Sequence, residues 1–266
     1  MNFIHALDPK MLHRSAAVVE QSVHSHEGSA IPASQMGCAT PAADAVWNAL
    51  PVAVPDRYHL AANRIVTWDQ NDPLSAGYDL IRTRIMHRML QNGWRSLAIT
   101  APGAGSGKTL TSINLAFSIA RRHSMRSLLV ELDSRRPKVA NYIGLPRQRS
   151  VVSYMRDDSS EEQPFLRCSS NLAVGTCRIG DSGDQLFDEA TPDVVERLVG
   201  RLGLDVVIFD LPPMLEHDDA LSFAPGVDCA LLVLEAGVTT SEEASFCERE
   251  LSQVTNIVGI VLNKCR

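Results

Sequence analysis

The sequence predicts an α/β domain: a mostly parallel β-sheet with helices on both faces. Two observations carry this. From about residue 73 onward, short unbroken apolar runs alternate with segments of helical periodicity, and strands buried on both faces read in that unbroken way. A glycine-rich loop, Gly103-Ala104-Gly105-Ser106-Gly107-Lys108-Thr109, joins the first run to the helix after it. Strand, glycine loop, helix is the order in which a backbone cradles phosphate groups.

The elements follow in order. Residues 1–56 are rich in Ala, Ser, His and Pro with few paired apolar positions. Such a segment buries too little to offset its ordering entropy, so a disordered N-terminal arm is expected there, with the folded domain spanning 57–266. His24 and His26 read as part of a polar tail rather than as metal ligands. Tyr78, Ile81, Ile85, Met89 and Leu90 recur at helical spacing, and Asn92-Gly93 ends that helix. Ser96 to Thr100 is the first strand. Leu110, Ile113, Leu115, Ala116, Ile119 and Ala120 mark the helix beyond the glycine loop. Strands are then expected at 128–130, 172–174, 206–209, 230–234 and 257–262. Helices are expected at 151–155, 194–202, around 220–223, and at 240–251. No internal repeat is apparent.

Composition narrows the partners. The net charge is −6 and the basic residues are scattered, with short pairs at Arg121-Arg122 and Arg135-Arg136, so no nucleic-acid partner is expected. The six cysteines, at 38, 168, 177, 229, 247 and 265, form no C-x-x-C pair and no zinc spacing. No apolar stretch approaches the roughly 20 residues of a membrane helix, and no signal peptide opens the chain. A cytoplasmic protein with reduced thiols and no transmembrane segment of its own is the expectation.

The glycine loop assigns chemistry residue by residue. Gly103, Gly105 and Gly107 reach dihedrals closed to other residues and let backbone N–H groups approach phosphates. Lys108 brings a mobile charge to the β- and γ-phosphates, and the Thr109 hydroxyl serves Mg²⁺. Ser106 and Leu110 complete the stretch that faces the nucleotide. The strict pattern wants glycine where this chain has Pro102. Carboxylates for the metal are expected at the ends of other buried strands. Asp210 ends the run Val206-Val207-Ile208-Phe209. Glu131 and Asp133 end the run Leu128-Leu129-Val130, on one side of the chain by alternation.

From about residue 74 to its end, the chain resembles the kinase domain of the bacterial tyrosine autokinases (BY-kinases) of the CpsD/CapB type, associated with capsule and exopolysaccharide synthesis. The resemblance rests on Thr100-Ala101-Pro102 leading into the glycine loop, on Glu131-Leu132-Asp133-Ser134-Arg135 followed by Arg136-Pro137, on Val207-Ile208-Phe209-Asp210-Leu211-Pro212-Pro213, and on Val261-Leu262-Asn263-Lys264. It implies a P-loop enzyme, an ATP- and Mg²⁺-dependent protein-tyrosine kinase or ATPase. The catalytic residues would be Lys108, Glu131, Asp133 and Asp210, with either Glu131 or Asp133 accepting the proton. Thr109, Asp133 and Asp210 would serve the metal. Arg135 and Asn263 would join the loop in binding nucleotide, Asn263 near the base. The resemblance further implies a membrane-anchored polysaccharide co-polymerase as activator, peripheral attachment at the inner membrane through it, and a homo-oligomer.

Three departures qualify it. Glu131 stands where the family has Asp. The family's E-x-x-R-x-x-R assembly motif reads Ala76, Asp79 and Arg82, keeping its last arginine. The last tyrosine is Tyr154, so the family's C-terminal tyrosine cluster has no counterpart in this sequence. Two other classes stay open: a nucleotide-dependent switch of the Min/Par type, which carries a lysine where this chain has Gly103, and a regulatory subunit with little kinase activity.

Overall fold

The computed structural model of the chain describes residues 4–6, 40–146, 150–156, 163–181 and 191–265. Among these residues the strands are β1 (Ile4–Ala6), β2 (Ser96–Thr100), β3 (Ser127–Glu131), β4 (Phe165–Arg167), β5 (Leu172–Gly175), β6 (Val206–Asp210), β7 (Cys229–Glu235) and β8 (Asn256–Asn263). The helices are α1 (Pro41–Ala49), α2 (Arg57–Ala62), α3 (Ser75–Asn92), α4 (Lys108–Ala120), α5 (Val139–Ile143), α6 (Val151–Arg156), α7 (Thr191–Leu202), α8 (Asp219–Phe223) and α9 (Ser241–Val254). The strands form one sheet in the order β1-β8-β7-β2-β6-β3-β5-β4. Every pairing is parallel except that of β4 with β5 at the edge.

Period-two alternation splits the core into two layers. Leu97, Ile99, Leu129, Ile208, Leu231 and Val233 face a layer shared with Ile85 and Met89 of α3 and Ile113 and Leu115 of α4. Ala98, Leu128, Val130, Val207, Phe209 and Leu232 face the other way, into a layer with Trp47 of α1, Leu198 of α7, Phe223 of α8 and Cys247 and Leu251 of α9. Helices therefore cover both faces, as the unbroken apolar strands require. α4 carries buried side chains along almost its whole length, Ser112, Asn114 and Ser118 among them, because it lies between the sheet and α3. Gly93 ends α3 in the left-handed conformation, φ 71°, the role the Asn-Gly pair foretells.

The boundary expected at residue 56 is corrected by the structure. Thr40 caps α1 through its hydroxyl, with Pro41 at the first helical position. Ala43, Trp47 and Leu50, spaced by four and three residues, are buried against α7 and the sheet. Trp47 Nε1 donates to Ser170 O at 3.1 Å, and the Arg126 guanidinium sits 4.7 Å from its ring centroid. Residues 40–56 thus belong to the fold: one large aromatic ring buries enough apolar surface to order a short, otherwise polar helix. β1 pairs with β8; residues 1–3 and 7–39, where the rest of the expected arm falls, lie outside the described residues, as do His24, His26 and Cys38.

Candidate active site

The site lies at the carboxyl ends of the central strands β2, β3 and β6, the crevice where open α/β sheets take ligands. β2 runs into the glycine loop and α4 leaves it. Gly105 and Gly107 have φ of 87° and 90°, a region that costs other residues dearly. A Cβ at Gly107 would stand 2.1 Å from Asn263 Nδ2, and that amide donates to Ser106 O at 2.9 Å. Ser106 Oγ in turn donates to Gly103 O at 2.8 Å. The loop's curl is thus pinned from within and from the end of β8. Gly107, at the cap of α4, has no side chain to satisfy the helix's first backbone N–H groups, and such a terminus suits an anion.

Two carboxylates, Asp133 and Asp210, lie near Lys108 beneath the loop. Lys108 Nζ lies 2.7 Å from Asp133 Oδ2, and both side chains are buried. Burial pulls the Lys108 ammonium down, but the Asp210 and Asp133 charges outweigh it and hold the group above its ordinary range. Asp210 is fully buried; Oδ1 accepts from Ser112 Oγ at 3.1 Å and Oδ2 has no hydrogen-bond partner among the described residues. Burial raises its carboxyl above the usual range, with Lys108 pulling the other way. A buried carboxylate oxygen with nothing to bind costs free energy, and beside a threonine hydroxyl and a lysine it fits a divalent cation carrying phosphates.

Glu131 is placed differently from Asp133. Its Oε1 accepts the backbone N–H groups of Lys138 and Val139, at 2.5 and 2.7 Å, where α5 begins. Burial lifts its carboxyl to about 7 against those two donors. It lines a second cavity, with Asn141, Thr176 and Cys177, and stands apart from the main cleft.

That main cleft, about 570 Å³, is lined by Gly105, Gly107, Lys108, Thr109, Leu110, Asp133 and Asn263. The structure therefore brings most of the expected site residues together. Ser106 is buried in the loop's internal bonding. Arg135 points to Asp219, Nε to Oδ2 at 3.4 Å, with its side chain half exposed. The cleft also takes in residues that the sequence reasoning missed: Arg64, Tyr78, Arg136, Lys138 and Tyr142. Ser112 was missed too, although it lies one helical turn after Lys108, a spacing that puts both on one face.

No family model matches the chain. It is 27% identical over 192 residues to tyrosine-protein kinase YwqD of Bacillus subtilis, covering 71% of this chain and 80% of that protein. It is 27% identical over 183 residues to tyrosine-protein kinase CpsD of Streptococcus pneumoniae serotype 4, covering 63% of this chain and 75% of that protein. Among solved structures, the kinase domain of the Escherichia coli tyrosine kinase ETK superposes with a TM-score of 0.68 at 23% identity, over 81% of this chain and 89% of that domain. At that identity the structural likeness speaks for the fold.

Proposed function

We propose, from its 27% identity to two tyrosine-protein kinases, that this chain is a member of the bacterial tyrosine autokinase family and acts as an ATP- and Mg²⁺-dependent protein-tyrosine kinase of capsule or exopolysaccharide synthesis. The observation that carries the proposal is the buried constellation of Lys108, Asp133 and Asp210 under the glycine loop that opens α4. Thr109 and the free oxygen of Asp210 would hold Mg²⁺, whose charge would help neutralise the phosphates. Lys108 and the loop amides offset charge that develops on the γ-phosphoryl group as its bond to the β-phosphate oxygen breaks. A triphosphate that engages Lys108 releases Asp133, which then takes the proton from the attacking tyrosine hydroxyl. Glu131, tied to the start of α5, is better suited to hold the Asp133 turn in place than to take that proton. Asn263 and Leu110 would border the base side of the nucleotide.

No helix among the described residues is long and apolar enough to cross a membrane. Activation by a separate, membrane-anchored co-polymerase would bring the kinase to the cytoplasmic face of that membrane. The test is incubation with γ-labelled ATP and Mg²⁺, with and without the co-polymerase tail peptide, followed by phosphoamino-acid analysis. Phosphotyrosine in the wild type and none in Lys108→Ala is expected. Phosphate release without any phosphotyrosine would leave an ATPase instead.

A further inference from the structure

The phosphate-seeking groups of the cleft are already engaged by carboxylates of the chain itself. Lys108 is held by Asp133 at 2.7 Å. The backbone N–H of Ala104, on the open arm of the glycine loop, donates to Glu216 Oε1 at 3.0 Å. The other oxygen of Glu216 is ion-paired with the Arg136 guanidinium. Backbone bonds deliver Glu216 to this spot: beyond β6, Met214 N–H donates to Ala101 O at 2.9 Å and Leu215 N–H to Pro102 O at 3.0 Å. The chain after Asp210 therefore runs alongside the start of the loop. Arg136 is fixed from the other side, its own N–H donating to Asp133 Oδ1 at 3.1 Å. Both Glu216 and Arg136 keep more than a third of their side-chain surface exposed. Such a pair adds about 0–1 kcal/mol to stability, so its consequence lies in what it occupies.

We propose, on the nucleotide reading given above, that Glu216 acts as a terminal-phosphate gate: its carboxylate stands in for the γ-phosphate on Ala104 N–H and Arg136, so ATP must displace it and ADP need not. Lys108 Nζ marks where β- and γ-phosphates lie in a glycine loop of this kind. Arg136 is tied to the Asp133 side of that point, whereas Asn263 closes the loop from the β8 side. A carboxylate and a terminal phosphate are both acceptors for a guanidinium and a backbone N–H, and two anions cannot share those donors at close range. When Glu216 leaves, Arg136 is released to pair with the γ-phosphate. ATP binding thus carries a penalty that ADP binding lacks, and the bound triphosphate gains an arginine.

Fluorescent N-methylanthraniloyl ATP and ADP, titrated into the full chain with Mg²⁺, test the gate. Glu216→Gln should tighten ATP about tenfold, the worth of roughly one charge-assisted hydrogen bond, and change ADP less than about twofold. Arg136→Ala should weaken ATP more than ADP. Asp218→Asn, which removes an exposed charge two residues away, should move both nucleotides equally and by less. Equal shifts of ATP and ADP in Glu216→Gln, or none, would overturn the gate and leave the nucleotide site standing. A wild type that binds neither nucleotide would overturn both.

Discussion

Replacing Gly107 by alanine is the most informative perturbation of the loop, because its cost divides into separable parts. The residue has φ 90° and ψ 18°, and an L side chain held there costs about 1–3 kcal/mol. The new Cβ would also meet Asn263 Nδ2 at 2.1 Å, so the asparagine must withdraw from Ser106 O and forfeit a hydrogen bond worth about 1 kcal/mol. Gly107→Ala should therefore destabilise the fold by about 2–4 kcal/mol, with nucleotide affinity falling as the loop opens. Urea unfolding gives the first quantity and fluorescent-nucleotide titration the second. Asn263→Ala removes the obstacle without touching the backbone strain, so the double mutant should be more stable than the sum of the single losses, by about 1 kcal/mol. Strict additivity would refute the clash. An unchanged unfolding midpoint in Gly107→Ala would refute the strain as well.

Trp47→Ala should cost about 3–5 kcal/mol in chemical unfolding, since the ring is 1% exposed beneath Arg126; a near-zero loss would return α1 to the status of a loose arm. Asp210→Asn should abolish Mg²⁺-dependent turnover while raising the unfolding midpoint, because it neutralises a fully buried carboxylate whose charged form burial disfavours; wild-type turnover would clear Asp210 of the metal role. Glu131 titrates near 7 in the fold against an ordinary 4.5, so its protonated form is the one the fold prefers. Its contribution is complete below about pH 4.5 and is lost as pH rises through 7, a change of at most about 3 kcal/mol. Glu131→Gln should flatten stability across that window and be the more stable protein at pH 8; an unaltered pH profile would remove Glu131 as its source.

The central strands and the phosphate loop were legible because each depends on local pattern. Five-residue apolar runs have few alternatives between two helical layers, and Gly-Lys-Thr after a strand has one common use. α1 was not legible. Its burial rests on a single tryptophan reaching Ser170 and Arg126, residues far away in the chain, and its flanks are rich in Ala and Pro. The edge strand β4 is three residues long and pairs antiparallel, too short for a period to register. Alternation put Glu131 and Asp133 on one side of the chain, yet could not tell that the longer side chain reaches to the start of α5 while the shorter meets Lys108. Glu216 and Arg136 lie just outside their motifs, and only the course of the backbone beside Ala101 and Pro102 brings the glutamate to the loop.

The shuffled strand order has a kinetic consequence. β2, the centre of the site, has as sheet neighbours β6 and β7 rather than the strand that follows it in sequence, so Lys108, Asp133, Asp210 and Asn263 meet only after contacts spanning most of the chain have formed. Such distant pairings form slowly, and a partly folded chain offers the triphosphate little to hold. ATP should then bind after the rate-limiting step: refolding would run at the same speed with or without it, and the whole of its stabilisation would appear as slower unfolding.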